Sequence, residues 1–441
     1  VVTSELLTGL SSFIAEEQIS GGTLNSPLLG NNGDITVFPK TEQEIVGILK
    51  YANENGMKVN IMGGGTKRGF GGIEESADIL LSLEQYKGVV EHSPGDMIVT
   101  VKPGTTFQEL QEFLAEHNQK IPLDPALPKE ATIGGIIAAN DFGPKRLGYG
   151  SARDMVIGLR MIYPDGTIIR AGGKTVKNVA GYDMNKLFIG SMGTLGVISE
   201  ITIKLRPVQK SESLMLLSFP DGNLKEIHTF TISLLDSVME PIALELINPA
   251  LAEKLTGNRA YTLAISFEDV ASSVRYQVEY VKQKKPENAS ISILEDLAAR
   301  KFWENLADIP PNGRQNDSEQ TTRASVKIGV KNIDVLQVIR ESQLIQDSYN
   351  LKVEAHGGLG TGLCKVYLSG ANDDVASAIT TLRNFAENMG GYAVITHLPL
   401  TLRREIEVWG KKPVHFFLLD GIKAKVDPKR ILNYGRFVGG I

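Results

Sequence analysis

The chain reads as an α+β protein, with a glycine-rich N-terminal domain followed by a second α+β domain whose sheet is backed by helices. Three observations carry that reading. Glycine clusters fall mostly before residue 200 and stand where strand-like runs end. Helix-start signals and strand-like runs alternate through the same region. Beyond Pro207 the clusters thin out, and strand-like runs alternate with amphipathic helices.

In chain order, Thr41-Glu42-Gln43-Glu44 forms a capping box, because Thr41 can accept the Glu44 N–H while Glu44 reaches back. Ile45, Val46, Ile48, Leu49 and Ala52 follow at helical spacing, and Gly56 is placed to end the helix. A strand over Lys58 to Met62 runs straight into Gly63-Gly64-Gly65-Thr66. Further strands are expected over Asp78 to Leu83 and Met97 to Lys102, and a second capping box, Thr106 to Glu109, opens a helix to about His117. Met155 to Tyr163, Pro164-Asp165-Gly166 and Thr167 to Ala171 read as a hairpin. A long strand over Leu195 to Leu205 is closed by Arg206-Pro207, which places a domain boundary at residue 208.

The second domain, 209–415, carries strand-like runs at Leu214 to Phe219, Ile242 to Ile247, Tyr261 to Phe267, Ala324 to Ile328, Lys352 to His356 and Leu363 to Leu368. Helices are expected over Val274 to Lys284 and Val335 to Asp347, and a mobile loop over Asp308 to Thr322, which is rich in Pro, Asn, Gly and Gln. Residues 416–441 form a separate C-terminal segment.

With 441 residues there is room for two or three cores. No apolar run approaches the roughly 18–20 residues of a membrane span, and mean hydropathy is close to zero. No basic stretch followed by an apolar run opens the chain, so no secretory signal is read. A net charge of -5 without a basic stripe argues against nucleic acid. The single cysteine, Cys364, excludes an internal disulfide and a cysteine-ligated iron–sulfur cluster within the chain. Redox chemistry here would need a non-metal cofactor, with any cluster on a partner.

Met62 to Gly72 is the central motif. Consecutive glycines let N–H groups converge with no Cβ in the way of a phosphate, and Lys67 and Arg68 add cations beside them. For an isolated triple glycine a plain surface turn is the better reading, but three more clusters follow. In Ala131 to Asn140, Thr132 can cap a helix, and Gly134 and Gly135 would let a flat ligand pass close to the backbone; tight helix packing would explain the small residues equally well. Arg146-Leu147-Gly148-Tyr149-Gly150 leads to Asp154, and Gly190 to Ile198 is the fourth cluster. Gly172-Gly173-Lys174-Thr175 is not a P-loop, since Ile168 stands where its first glycine belongs. No G-x-G-x-x-G follows a strand and opens a helix, so a Rossmann site is unsupported.

The runs "P-K-T-E-Q-E-I", "G-G-G-T", "A-T-I-G-G", "Y-P-D-G", "K-N-V-A-G-Y-D" and "S-M-G-T-L-G-V-I-S-E", in this order and spacing from about Val37 to Pro207, resemble the FAD-binding fold of the vanillyl-alcohol oxidase and p-cresol methylhydroxylase (PCMH) type. Within it the sequence is most similar to glycolate oxidase and D-lactate dehydrogenase flavoproteins. The tail, with Trp409-Gly410, Asp427-Pro428 and Asn433-Tyr434-Gly435-Arg436, looks most like the FAD-binding subunit of bacterial glycolate oxidase.

The resemblance implies a two-lobed PCMH-type FAD domain, an α+β cap over the substrate, and a C-terminal segment that returns to the flavin. It implies that Gly63, Gly64, Gly65 and Thr66 hold the pyrophosphate, with Lys67 and Arg68 nearby. Thr132, Gly134 and Gly135 would line the ribityl path. Gly150, Asp154 and Val156 would lie toward the ribose and adenine, and Ile198 would offer its backbone to the adenine. Asn433 and Arg436 would return to the flavin side, with Asn433-Tyr434-Gly435 in place of the usual Asn-Pro-Gly. Relatives that tether flavin covalently use a histidine in or beside the glycine loop. None stands between Met62 and Gly72, so FAD is expected to be non-covalent.

Oxidising a 2-hydroxy acid needs a base, a cation for the carboxylate and the flavin as acceptor. The catalytic relatives' Glu-His-Gly appears here as Thr396-His397-Leu398-Pro399, and their paired-histidine motif as Ala355-His356 to Gly362, with the second histidine lost. His356 and His397 are the candidate bases and Arg323 the candidate carboxylate anchor, although a lone histidine at a strand end is more often structural. No metal is expected, since two separated histidines make a poor ligand set.

The implied function is the FAD-binding subunit of a glycolate oxidase-type 2-hydroxy-acid dehydrogenase complex. It would oxidise glycolate or D-lactate and pass electrons to an iron–sulfur subunit. The alternatives are a non-catalytic flavin carrier supporting a catalytic sister flavoprotein, and a self-contained flavin oxidase using molecular oxygen. The expected location is cytoplasmic, with contact to the inner face of the membrane only through partners.

Overall fold

A computed structural model describes residues 2–21, 27–173, 182–314 and 321–441. Both capping boxes form. Thr41 Oγ1 accepts the Glu44 N–H at 3.2 Å, and Glu44 accepts the Thr41 N–H at 3.3 Å. The helix Glu42–Asn55 that follows ends on Gly56 at φ 67°. Its stripe of Ile45, Ile48, Leu49 and Ala52 is buried against Ile35, Val37 and Ile79 of the first sheet.

That sheet is four-stranded, in the order Ile19–Gly21, Asn32–Val37, Ser76–Ser82, Val59–Met62. Its last three strands are parallel. The second lobe is a five-stranded antiparallel sheet in the order Val89–Ser93, Ile98–Val101, Val197–Lys204, Val156–Ile162, Ile168–Gly172. Its last two strands are the hairpin expected at Pro164-Asp165-Gly166. Helices Phe107–Ala115 and Ile133–Ala139 cover it, burying Leu110, Leu114, Ile133 and Ile137.

An eight-stranded antiparallel sheet follows, in the order Ser290–Glu295, Ser211–Phe219, Tyr261–Asp269, Ala243–Ile247, Lys352–Gly358, Leu363–Gly370, Thr322–Gly329, Tyr392–His397. One face buries Met215, Leu217, Ile265 and Val326 under helices that include Ala271–Lys284, Val335–Tyr349 and Asn372–Asn388. The other packs Leu214, Leu216 and Ala264 against Phe302 and Trp303 of the helix Asp296–Ala307. The α+β class and the helix-backed sheet stand as read from the sequence.

Five strands of these sheets were not anticipated, Ile19–Gly21 and Val89–Ser93 among them. Asn32–Val37 begins Asn-Gly-Asp, a turn-like start. Ser290–Glu295 is an edge strand alternating serine and isoleucine, and Tyr392–His397 follows Gly390-Gly391.

The C-terminal helix Phe416–Val426 buries Lys423, whose Nζ donates to Thr194 O at 2.7 Å and Leu432 O at 3.1 Å and pairs with Asp427 at 2.7 Å. Leu432 then bridges Val59 in parallel, which lays the tail along the strand that feeds the glycine loop. Of the expected mobile loop, residues 315–320 lie outside the described residues, as do Lys174, Thr175 and most of the "K-N-V-A-G-Y-D" run (177–181). Among the described residues no helix is long and apolar enough to cross a membrane.

Candidate functional site

The strand Val59–Met62 ends on the glycine loop, which lies against the helix start of the second lobe. A Cβ on Gly63 would overlap Thr132 Oγ1, and one on Gly64 would overlap the Glu130 carbonyl, so only glycine permits this approach. Gly65, at φ 70°, turns the chain. Thr132 caps the helix by accepting the Gly135 N–H at 3.3 Å.

Between these segments lies a cleft of about 880 Å³, its open mouth included. Among the described residues, Gly63, Gly64, Gly65, Thr66, Lys67, Arg68, Thr132, Gly134, Gly135, Ile198, Asn433 and Arg436 line it. Gly150, Asp154 and Val156 do not. Asp154 instead accepts from Ser151 N and Oγ at 2.8 and 2.9 Å, and Val156 opens a strand. Lining residues not anticipated include Asn31, Pro103, Met192 and Gly193. Gly193 belongs to the fourth glycine cluster, the signal that could have found it.

The floor of the cleft is cationic. Arg68 donates to Gly30 O at 2.9 Å and Asn32 Oδ1 at 2.5 Å, while Arg436 donates to Phe70 O at 3.2 Å and Lys67 O at 3.0 Å. Arg403, behind them, donates to Arg68 O at 3.0 Å and to Leu29 O. Burial first, and then Arg436, brings the Arg68 guanidinium down to about 10; burial alone brings Arg436 to about 10. Burial, and then the charges of Arg436, Arg68 and Arg404, take Arg403 to about 9. Repulsion among buried guanidiniums is relieved by an anion, and glycine walls admit a flat ring close to the backbone. The residues present therefore suit a pyrophosphate-bearing flavin.

A second cavity, about 620 Å³, shares Thr66, Lys67 and Ala139 with the cleft. Lys67 pairs there with Asp141 at 3.0 Å, and Lys365 lies 4.0 Å from Asp141 and donates to Phe142 O at 2.6 Å. Burial raises the Asp141 carboxyl, but Lys67 and Lys365 outweigh it and hold the group at about 2. Lys327, Ser325, Tyr367, Thr396 and His397 complete the polar wall.

The three catalytic candidates separate. His397, at the end of Tyr392–His397, lines this cavity, with its ring packed on Gly69 so closely that a Cβ there would lie 2.7 Å from Nδ1. His356 faces an adjoining small cavity with Asp124; its Nδ1 lies 2.8 Å from Glu245 Oε2 and its Nε2 3.4 Å from the Tyr367 hydroxyl. Arg323 is outside both linings, two residues before Ser325 on the strand Thr322–Gly329 and so on the same strand face. Among the described residues no group of three or more His, Cys, Asp or Glu is placed to hold a metal.

Residues 33–172 match the family described as FAD binding domain. A mitochondrial D-lactate dehydrogenase [cytochrome] of Arabidopsis thaliana is 31% identical over 284 residues, covering 62% of this chain but only 49% of that protein. A D-lactate dehydrogenase of Archaeoglobus fulgidus is 27% identical over 92% of this chain and 91% of its own length. A glycolate oxidase subunit of Bacillus subtilis is 34% identical over 42% of this chain and 39% of its own. Among solved structures, p-cresol methylhydroxylase with substrate bound superposes with a TM-score of 0.76 at 15% identity, covering 98% of this chain and 96% of that one. The 4-ethylphenol oxidase of Gulosibacter chungangensis does so at 0.77, with the same identity and coverage. The chain thus carries an FAD binding domain in a PCMH-type fold.

Proposed function

We propose that this FAD-dependent oxidoreductase acts on small 2-hydroxy acids of the glycolate and D-lactate kind, as the FAD-binding subunit of a glycolate oxidase-type complex. The observation that carries the reading is the second cavity. It opens off the flavin cleft through Lys67 and gathers Lys67, Lys327 and Lys365 around one carboxylate, Asp141. Such a wall attracts a small anion, and the apolar rings of Phe70 and Phe142 limit its size.

Bound FAD supplies a two-electron acceptor, held without a covalent bond. The protein's own part is to seat the acid beside the cleft and receive its hydroxyl proton, for which the His397 imidazole is the base. The relatives' names support the substrate class. With Cys364 buried and alone, a cysteine-ligated iron–sulfur cluster belongs on a partner subunit.

A second reading has its own support. His356, from the motif that pairs histidines in the catalytic relatives, is tied to Glu245 and Tyr367 and does not itself line the second cavity. The chain could then carry flavin for a catalytic sister flavoprotein. Anaerobic mixing of the purified chain with glycolate or D-lactate, read as bleaching of the flavin's visible absorbance, decides. Bleaching by the chain alone supports the enzyme; bleaching only with the partner chains supports the carrier. No bleaching in either case overturns both.

A further inference from the structure

The second cavity holds three lysines, and they are not equivalent. Lys67 is committed to Asp141 at 3.0 Å. Lys365 donates to the Phe142 carbonyl at 2.6 Å, with Asp141 at 4.0 Å. The Lys327 ammonium, by contrast, makes no hydrogen bond or ion pair among the described residues; it stands over the Phe142 ring, 6.0 Å from centroid to Nζ. Its strand neighbours point the same way, since Ser325, two residues back on the same face, also lines the cavity. A half-buried ammonium without a hydrogen-bonding anion is costly, and a site that keeps one is shaped for a ligand to complete it.

We propose that Lys327 is the carboxylate-binding residue of this chain, pairing with the acid group of a small hydroxy- or oxo-acid in the cavity. The assignment rests on the functional reading above for the class of ligand, and it moves the anchoring role from Arg323 to Lys327. Lys365 and Ser325 are placed to share the second carboxylate oxygen, while Asp141 neutralises Lys67 and so leaves Lys327 for the ligand.

The charged and titratable groups facing Lys327 are Asp141, Lys67, Lys365 and Arg146, with His397 and Tyr367 on the same wall. Burial first, opposed by Asp141, brings Lys327 down to about 8. Asp141 is held at about 2, and burial pushes the Tyr367 phenol well above its ordinary range. Anion binding that needs a protonated Lys327 is therefore full below about pH 8 and lost above it.

Oxalate is a suitable probe, because it presents the carboxylate but has no carbinol hydrogen to lose. Calorimetric titration of the FAD-loaded protein with oxalate is expected to show one site whose affinity falls at least tenfold between pH 7 and pH 9.5. Lys327→Met should weaken binding at pH 7 at least tenfold and abolish the pH dependence. Lys327→Arg should restore binding and hold it constant to the higher pH, because a guanidinium stays charged. An unchanged FAD content and melting temperature would show that both variants fold. Oxalate binding unaffected by Lys327→Met overturns the assignment, even if D-lactate bleaches the flavin. Binding that depends on Lys327, with no bleaching by any 2-hydroxy acid, would leave the anchor standing and sink the functional reading.

Discussion

Asn433 accepts the Ile61 N–H on its side-chain oxygen at 2.7 Å, clamping the C-terminal tail onto the strand that feeds the glycine loop. Its Nδ2 simultaneously donates to Met192 O at 2.6 Å, so one buried side chain joins three segments at the cleft proposed to hold the flavin. Asn433→Ala would leave the Ile61 N–H and the Met192 carbonyl without partners, a loss of about 2–3 kcal/mol. We expect a lower melting temperature and faster release of FAD, read as flavin fluorescence appearing on dilution. Retention equal to wild type would show that the tail does not support the site.

Gly64 tests the cradle. A methyl group there overlaps the Glu130 backbone carbonyl, which cannot rotate away, so Gly64→Ala should purify with little or no flavin. Gly421 is the control. A Cβ there meets nothing within 4 Å, and it sits inside the helix Phe416–Val426. Gly421→Ala should keep its flavin and gain roughly 0.5–1 kcal/mol.

The candidate histidines should part company. Removing His356 strands Glu245 in the core, so His356→Ala should lower the melting temperature by several degrees. His397 faces the second cavity, and His397→Ala should slow flavin reduction by the proposed substrates on the order of 10²-fold with a smaller change in stability. Stopped-flow reduction and thermal melts on both variants separate the two roles.

Acid should loosen the contact between the lobes and the large sheet through Glu268. This carboxylate pairs with Lys120 and with Lys145 at 2.6 Å and accepts the Tyr149 hydroxyl at 2.6 Å. Burial raises its pKa, but Lys145 and Lys120 outweigh that and hold it at about 2, below its value in the unfolded chain. The stabilisation is therefore full above roughly pH 4.3 and is lost as pH falls toward 2. In urea titrations Glu268→Gln should be clearly weaker than wild type at pH 6, and the gap should narrow by pH 3. A gap that widens in acid would contradict this.

FAD is expected to leave intact when the protein is denatured in acid and the precipitate removed. Colour staying with the pellet would mean a covalent link and would direct attention to His397, whose ring packs on Gly69 of the loop.

Local and periodic features were legible along the chain. Capping at Thr41, Thr106 and Thr132 depends on residues three apart, and the core stripes of helices and strands depend on spacing alone. The glycine clusters were legible because a missing Cβ is a property of one residue. Asn433 could be linked to the glycine-lined cleft only through resemblance, since its partners Ile61 and Met192 lie 372 and 241 positions away.

What the tertiary structure decided was which side chains meet. Nothing around His356 announced Glu245, 111 residues distant, as the group that would hold it in the sheet. Strand alternation puts Arg323, Ser325 and Lys327 on one face, but only the placement of the opposing loop brings Asp141 and Phe142 to Lys327 and leaves Arg323 outside the cavity. Electrostatic pairing acts over a few ångströms of space whatever the separation along the chain. The glycine-lined cleft could therefore be anticipated from the sequence, whereas the charge balance of the cavity beside it existed only once the chain had folded.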